Sequence, residues 1–165
     1  MFARRAAALL LVLVPLMALA CRQAVDVQEA LELSDVSSGW FDAGIVNGQN
    51  KIVPSVSFRL RQRTDTGLDR VSLNVIFRHP PAPGGDTEDE WDEVYIQYAT
   101  FENGQTPMLV VRAEKGYTGE QPQSRLDLLH HSLFRDVRAR VFAKHGSTQW
   151  AELGVIDVER QLLTR

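Results

Sequence analysis

The chain has 165 residues, with 18 Lys and Arg against 21 Asp and Glu, a formal charge of -3 and a single cysteine. This mildly acidic balance argues against a nucleic-acid partner, which needs a concentrated basic footprint. One cysteine excludes an internal disulfide, so stability has to come from a packed core.

Residues 1–20 read as an export signal. Arg4 and Arg5 form a short basic start, residues 6–19 are an almost unbroken apolar run, and Ala18, Leu19 and Ala20 precede Cys21. The run has the length of a signal-peptide core and falls short of the roughly 20 residues a membrane-crossing helix needs. No second apolar stretch of that size follows, so the exported chain is expected not to span a membrane. The segment Met17, Ala18, Leu19, Ala20, Cys21 resembles the loose form of the bacterial lipoprotein lipobox, in which the thiol is lipidated and the chain is cut just before it. The commoner form places Leu three residues before the Cys; here Ala18 stands there and Leu19 follows one place late. Ala18-Leu19-Ala20 is also an A-x-A site for ordinary signal peptidase, which cuts at the same bond and leaves a soluble periplasmic protein. A lone cysteine at the cleavage point favours lipidation, because an unpaired thiol is a liability in an oxidising compartment. Arg22, rather than Asp, is similar to Gram-negative lipoproteins sorted to the outer membrane. Loss of the leader takes the formal charge from -3 to -5. The remainder is one domain of ordinary size, able to bury about two thirds of its unfolded surface.

Residues 21–29 are polar and read as a short tether, with the folded domain expected over residues 30–165. From there the dominant period is two, the signature of strands. Leu31 and Leu33 alternate with Glu32 and Ser34, and residues 40–46 form a second extended piece ending at Asn47-Gly48, a strong hairpin signal. In residues 52–63, Val56, Phe58 and Leu60 face one way while Ser57, Arg59 and Arg61 face the other. After a turn at residues 64–67, Val71, Leu73, Val75 and Phe77 alternate with polar positions, predicting an antiparallel sheet with one wet face. The Pro- and Gly-rich residues 79–89 are a loop, and residues 91–101 and 108–115 are strands joined across Asn103-Gly104. Ser124 with Asp127 resembles a capping box, and Leu126, Leu129 and Leu133 share one helical face, predicting a helix over residues 125–134. Val137, Ala139, Val141 and Ala143 open another strand, and residues 149–162 the last, where Gly154 predicts a bulge or a close crossing. The expected fold is an all-β, immunoglobulin-like antiparallel sandwich of seven or eight strands with one short helix.

Within this series, residues 53–77 run strand, polar turn with Thr64 and Asp65, Leu68, then Val71-x-Leu73-x-Val75-x-Phe77. This resembles the core hairpin of FxLYD-like and similar immunoglobulin-like domains of bacterial surface lipoproteins. Where those domains often carry an asparagine before the turn, this chain has Arg63 or Thr64. The resemblance implies fold and location, and brings no catalytic residues with it.

Chemistry-bearing residues are few. His130-His131 are neighbours, which point about 100° apart on a helix and so chelate one ion poorly. His130 is expected to cap the apolar helix face and His131 to meet water. Asp86, Glu88, Asp89 and Glu90, continuing to Asp92 and Glu93, are expected to be a solvated loop guarding a strand edge; their alternative is a calcium site, since hard cations want several carboxylate oxygens. Arg59, Arg61 and Arg63 line one strand face, and Arg138 and Arg140 another. On neighbouring strands they would form one patch for phosphates or carboxylates; otherwise they pair across strands with acids. Trp40, Trp91 and Trp150 are expected as core or rim plugs. Neither a phosphate loop nor a G-x-S-x-G motif is present.

These readings describe a non-catalytic, lipid-anchored protein with a binding or structural role at the bacterial envelope. No cofactor is implied; the partners are the membrane and another envelope protein. The alternatives are a glycan- or calcium-binding surface module using the acidic loop with Trp91, and an envelope hydrolase assembled from a distant His, acid and Ser or Thr.

Overall fold

The computed structural model describes residues 25–163. The lipobox-like segment ending at Cys21 lies outside them. Within them run nine strands and two short helices: α1 (Val27–Ala30), β1 (Leu31–Val46), β2 (Gln49–Gln62), β3 (Arg70–His79), β4 (Asp89–Thr100), β5 (Leu109–Arg112), β6 (Tyr117–Gly119), α2 (Arg125–Leu129), β7 (Arg138–Lys144), β8 (Ala151–Asp157) and β9 (Leu162–Leu163). No helix among them is long and apolar enough to cross a membrane.

The chain folds as an all-β sandwich. One sheet has the order β5-β2-β1-β9 with β6 also on β2, and the other has the order β4-β3-β7-β8. Every pairing is antiparallel except β1 with β9, which is parallel. The β1–β2 hairpin lies in one sheet and the β3–β4 hairpin in the other, with β7 returning beside β3, the immunoglobulin-like connectivity. Period-two alternation fixes which side chains enter the core. Ile52, Val56, Phe58 and Leu60 from β2 meet Val71, Leu73, Val75 and Phe77 from β3 and Ala139, Val141 and Ala143 from β7. Small alanines on β7 share this core with the large residues of β2 and β3, a mix of sizes that lets facing layers interdigitate.

Several boundaries differ from the sequence expectation. β1 is one continuous strand, bent by a register shift between Ser34 and Ser37 where Asp35 takes φ 50°. The two residues at each hairpin signal have positive φ, 52° and 79° at Asn47-Gly48 and 53° and 79° at Asn103-Gly104. The second turn is local only: β4 and β5 on either side of it lie in opposite sheets. The expected tether is shorter than residues 21–29, because Asp26 caps α1 and buries Val27 and Ala30 in the core. The second helix ends at Leu129, with His130 at its C-cap, so residue 133 is no longer in helical phase. Leu128 and Leu129 turn inward while Leu126 and Leu133 are exposed. The capping box is present: the Asp127 N–H donates to Ser124 Oγ at 3.2 Å and the Ser124 N–H donates to Asp127 Oδ2 at 2.9 Å. At Gly154 the β7–β8 register slips, and a Cβ there would stand 3.0 Å from Leu33 Cδ1 of the other sheet, so the bulge and the close approach coincide.

Candidate functional site

The two arginine sets do not form one patch. Arg59 and Arg61 lie on β2, with Arg63 just beyond its end, and Arg138 and Arg140 lie on β7, in the opposite sheet. Each set is occupied locally. Arg59 pairs with Asp35 at 3.3 Å, and Glu32 serves both Arg61 and, at 4.0 Å, Arg63. Arg138 reaches Asp157 at 2.7 Å and Glu88 at 3.7 Å, while Arg140 shares Glu88 at 3.5 Å and binds Glu152.

The same contacts redirect the acidic run. Glu88 leans between Arg138 and Arg140, Asp89 pairs with Arg135 at 3.1 Å and Glu90 with Arg78 at 3.1 Å, while Asp86 stands exposed. Asp92 accepts hydrogen bonds from the Glu114 and Lys115 backbone N–H groups at 2.6 and 2.9 Å, which ties β4 to the end of β5 across the sandwich seam. Among the described residues no group of three or more His, Cys, Asp and Glu converges as a metal site. The carboxylates expected for calcium are spread over arginines and backbone donors instead.

The histidines hold local structure. His79 is buried, its Nδ1 lies 3.0 Å from the Asp136 carbonyl oxygen, and its ring stacks on Trp91 at 4.7 Å between centroids. His130 is an exposed helix C-cap, not a cover for the apolar face. His131 Nδ1 accepts from the Leu133 N–H at 3.2 Å, while at His145 it is the backbone N–H, not the ring, that donates to Thr148 Oγ1 at 3.2 Å.

The tryptophans divide. Trp40 is fully buried at the centre of a cluster with Phe134, Tyr117 and Trp91, at centroid distances of 4.7, 5.5 and 6.2 Å. Trp91 packs half-buried against the core, which removes it as an exposed ring beside the acidic loop. Trp150 alone is on the surface, 38% exposed.

Trp150 belongs to a surface that sequence reasoning missed. The outward face of the four-stranded sheet changes character along its length. One half carries the ion pairs Arg78–Glu90 and Arg138–Asp157, and the Arg140–Glu152 pair marks the boundary, with Glu152 opposite Phe142. The other half is aromatic: Tyr95 lies opposite Asn74, which lies opposite Phe142, and Tyr95 meets Trp150 edge-on at 6.1 Å. Tyr95 and Tyr98 are each 55% exposed. Two cations flank these rings, Arg70 at 4.7 Å over Tyr98 and Lys144 at 4.7 Å over Trp150. Among the described residues neither forms an ion pair. With His145 they border a groove of about 350 Å³ whose lining contains no carboxylate. The alternation of Val94 and Ile96 inward with Tyr95 outward was readable in the sequence. The register shift between Val71 and Leu73, opposite Gln97 and Tyr98, was not, and it leaves Tyr98 outside as well.

Tyr and Trp with a cation over the ring are suited to contact surfaces that are apolar in body and polar at the edge. Comparison with protein-family models, with curated proteins and with solved structures finds no match for this chain.

Proposed function

We propose that this chain is a lipid-anchored lipoprotein of the bacterial cell envelope, acylated at Cys21, in which the sandwich works by non-catalytic binding or structural support. The observation that carries the binding role is the aromatic half of the outer sheet face. Among the described residues every arginine but Arg70 and Arg112 pairs with an acid, and Arg70 and Lys144, neither of them ion-paired, lie beside exposed tyrosines and Trp150. Exposed rings and cations held on rigid strands are a contact surface in waiting, because aromatic side chains lose little conformational freedom on binding. The local structural roles of the His79 and His131 rings support the non-catalytic reading. Outer-membrane attachment on the periplasmic side follows from Arg22 beside the acylated cysteine, and an envelope protein is the expected macromolecular partner.

A glycan-binding module is the second reading, and the exposed Tyr95, Tyr98 and Trp150 favour it over the acidic loop as the place for a sugar. Radiolabelled palmitate fed to expressing cells tests the anchor. Label is expected on the parent protein and absent from Cys21→Ser; unlabelled parent protein would leave the soluble periplasmic form.

A further inference from the structure

We infer that the corner formed by Arg70, Tyr95, Tyr98, Lys144, His145 and Trp150 lies against anionic phospholipid headgroups of the membrane that holds the anchor. This inference rests on acylation at Cys21.

Three observations converge on it. The first is position. α1 opens the described chain and packs on β7 and β8. The end from which it leaves is also where β3 begins at Arg70, β7 ends at Lys144 and the loop carrying Trp150 leads into β8. Residues 22–24 are all that separate Cys21 from Val25, and so short a segment spans at most about 14 Å. An acylated Cys21 therefore holds this end of the body at the bilayer surface and leaves the opposite end, with the ion-paired loops, in solvent.

The second is charge. The chain as a whole is acidic, yet the groove at this corner is bordered by Arg70, Lys144 and His145 and by no carboxylate. The acids of the same end stand apart from this groove: Asp26 and Glu29 at α1, Glu32 paired with Arg61, and Asp65 and Asp69 in the neighbouring hollow beneath the β2–β3 connection. The corner next to them is the side an anionic surface attracts. The third is side-chain type. Tyr and Trp, with an apolar body and a polar edge, prefer the headgroup layer, where a long cationic side chain can also reach phosphate oxygens.

The test uses the native lipoprotein reconstituted in vesicles of phosphatidylcholine and phosphatidylglycerol with acyl chains brominated close to the headgroup. Trp150 emission is isolated by difference from Trp150→Phe, and near-UV circular dichroism checks that each variant keeps its fold. Flotation reports the anchor separately. The expected result is bromine quenching of the Trp150 component, reduced several-fold by Arg70→Glu with Lys144→Glu and in phosphatidylcholine alone, with flotation unchanged throughout. Intact flotation with Trp150 unquenched by bromine overturns the apposition and leaves the anchor standing. So does protection of Trp150 from iodide by soluble polygalacturonate without any bromine quenching, which would assign the corner to an acidic glycan. Loss of flotation removes the anchor, and the apposition with it.

Discussion

Asp136 shows how a single carboxylate joins the β7 approach to the C-terminal segment. Arg160 donates to it from Nε at 2.6 Å and from its terminal nitrogen at 3.1 Å, which holds the carboxyl below the ordinary carboxylate range against a smaller opposing effect of burial. The guanidinium also covers the Phe134 ring at 4.9 Å. Both partners are about half exposed, so solvent screening limits the pair to about 0–1 kcal/mol. Its folded-state pKa is depressed, so the contribution is complete above the ordinary aspartate value of about 3.9 and fades as pH falls through the lower, folded value. Asp136→Asn should lower Tm slightly at pH 7 and lose less further stability than the parent below about pH 4, as followed by thermal melts across an acid series. Trp40 acts through packing. It is fully buried, and its Nε1 has no hydrogen-bond partner. Trp40→Ala should cost about 3–5 kcal/mol in urea denaturation, while Trp40→Phe should cost distinctly less, because it keeps a ring in the cluster and removes an unsatisfied N–H.

At the scale of elements, Gly116 marks where the β5–β6 connection crosses β2. A Cβ there would stand 2.1 Å from the Ile52 carbonyl oxygen and 2.8 Å from Val53 Cγ1, so backbone would have to move. Gly116→Ala should destabilise by about 1–3 kcal/mol. Gly48→Ala, at φ 79° with open space around it, should cost only about 1 kcal/mol from backbone strain. Chemical denaturation of the two variants side by side would separate clash from strain. The same contrast explains what was legible in the sequence. Alternation along β2, β3 and β7 and the two Asn-Gly turns are local signals, and the strands and turns they predict are present. Pairing between distant segments has no local signal. Nothing in the sequence near Asn103-Gly104 says that the chain changes sheets there, and nothing near Arg59 or Arg138 says that they lie on opposite sheets. The helical turn α1 was masked by the polar composition around it, although Asp26 two residues before Gln28 is a capping signal. The aromatic face escaped because it is assembled from β4, β7 and the loop before β8, brought together only by the fold.

For the molecule as a whole, the sandwich divides into a well-paired end and a sparsely paired corner near the start of the fold. The charged side chains of Glu88, Asp89 and Glu90, the Asp92 bonds to the backbone N–H groups of Glu114 and Lys115, and the Lys115 Nζ bond to the Trp91 carbonyl at 2.7 Å guard the start of the edge strand β4. Exposed rings and free cations are left at the other corner, on the side from which the acylated tether would leave. Acylation at Cys21, as proposed, would give this arrangement its meaning by mass action: several acyl chains, at about 0.8 kcal/mol per buried methylene, would keep the body at the bilayer almost permanently. Even weak contacts of the sandwich with headgroups or with a neighbouring envelope protein are then populated, because the effective concentration of one near the other is high. The intact mass of protein extracted from its native membrane tests this account most directly. A polypeptide beginning at Cys21 with the added mass of a lipid group is the predicted result. A peak at the mass of the bare polypeptide from Cys21 onward would contradict it.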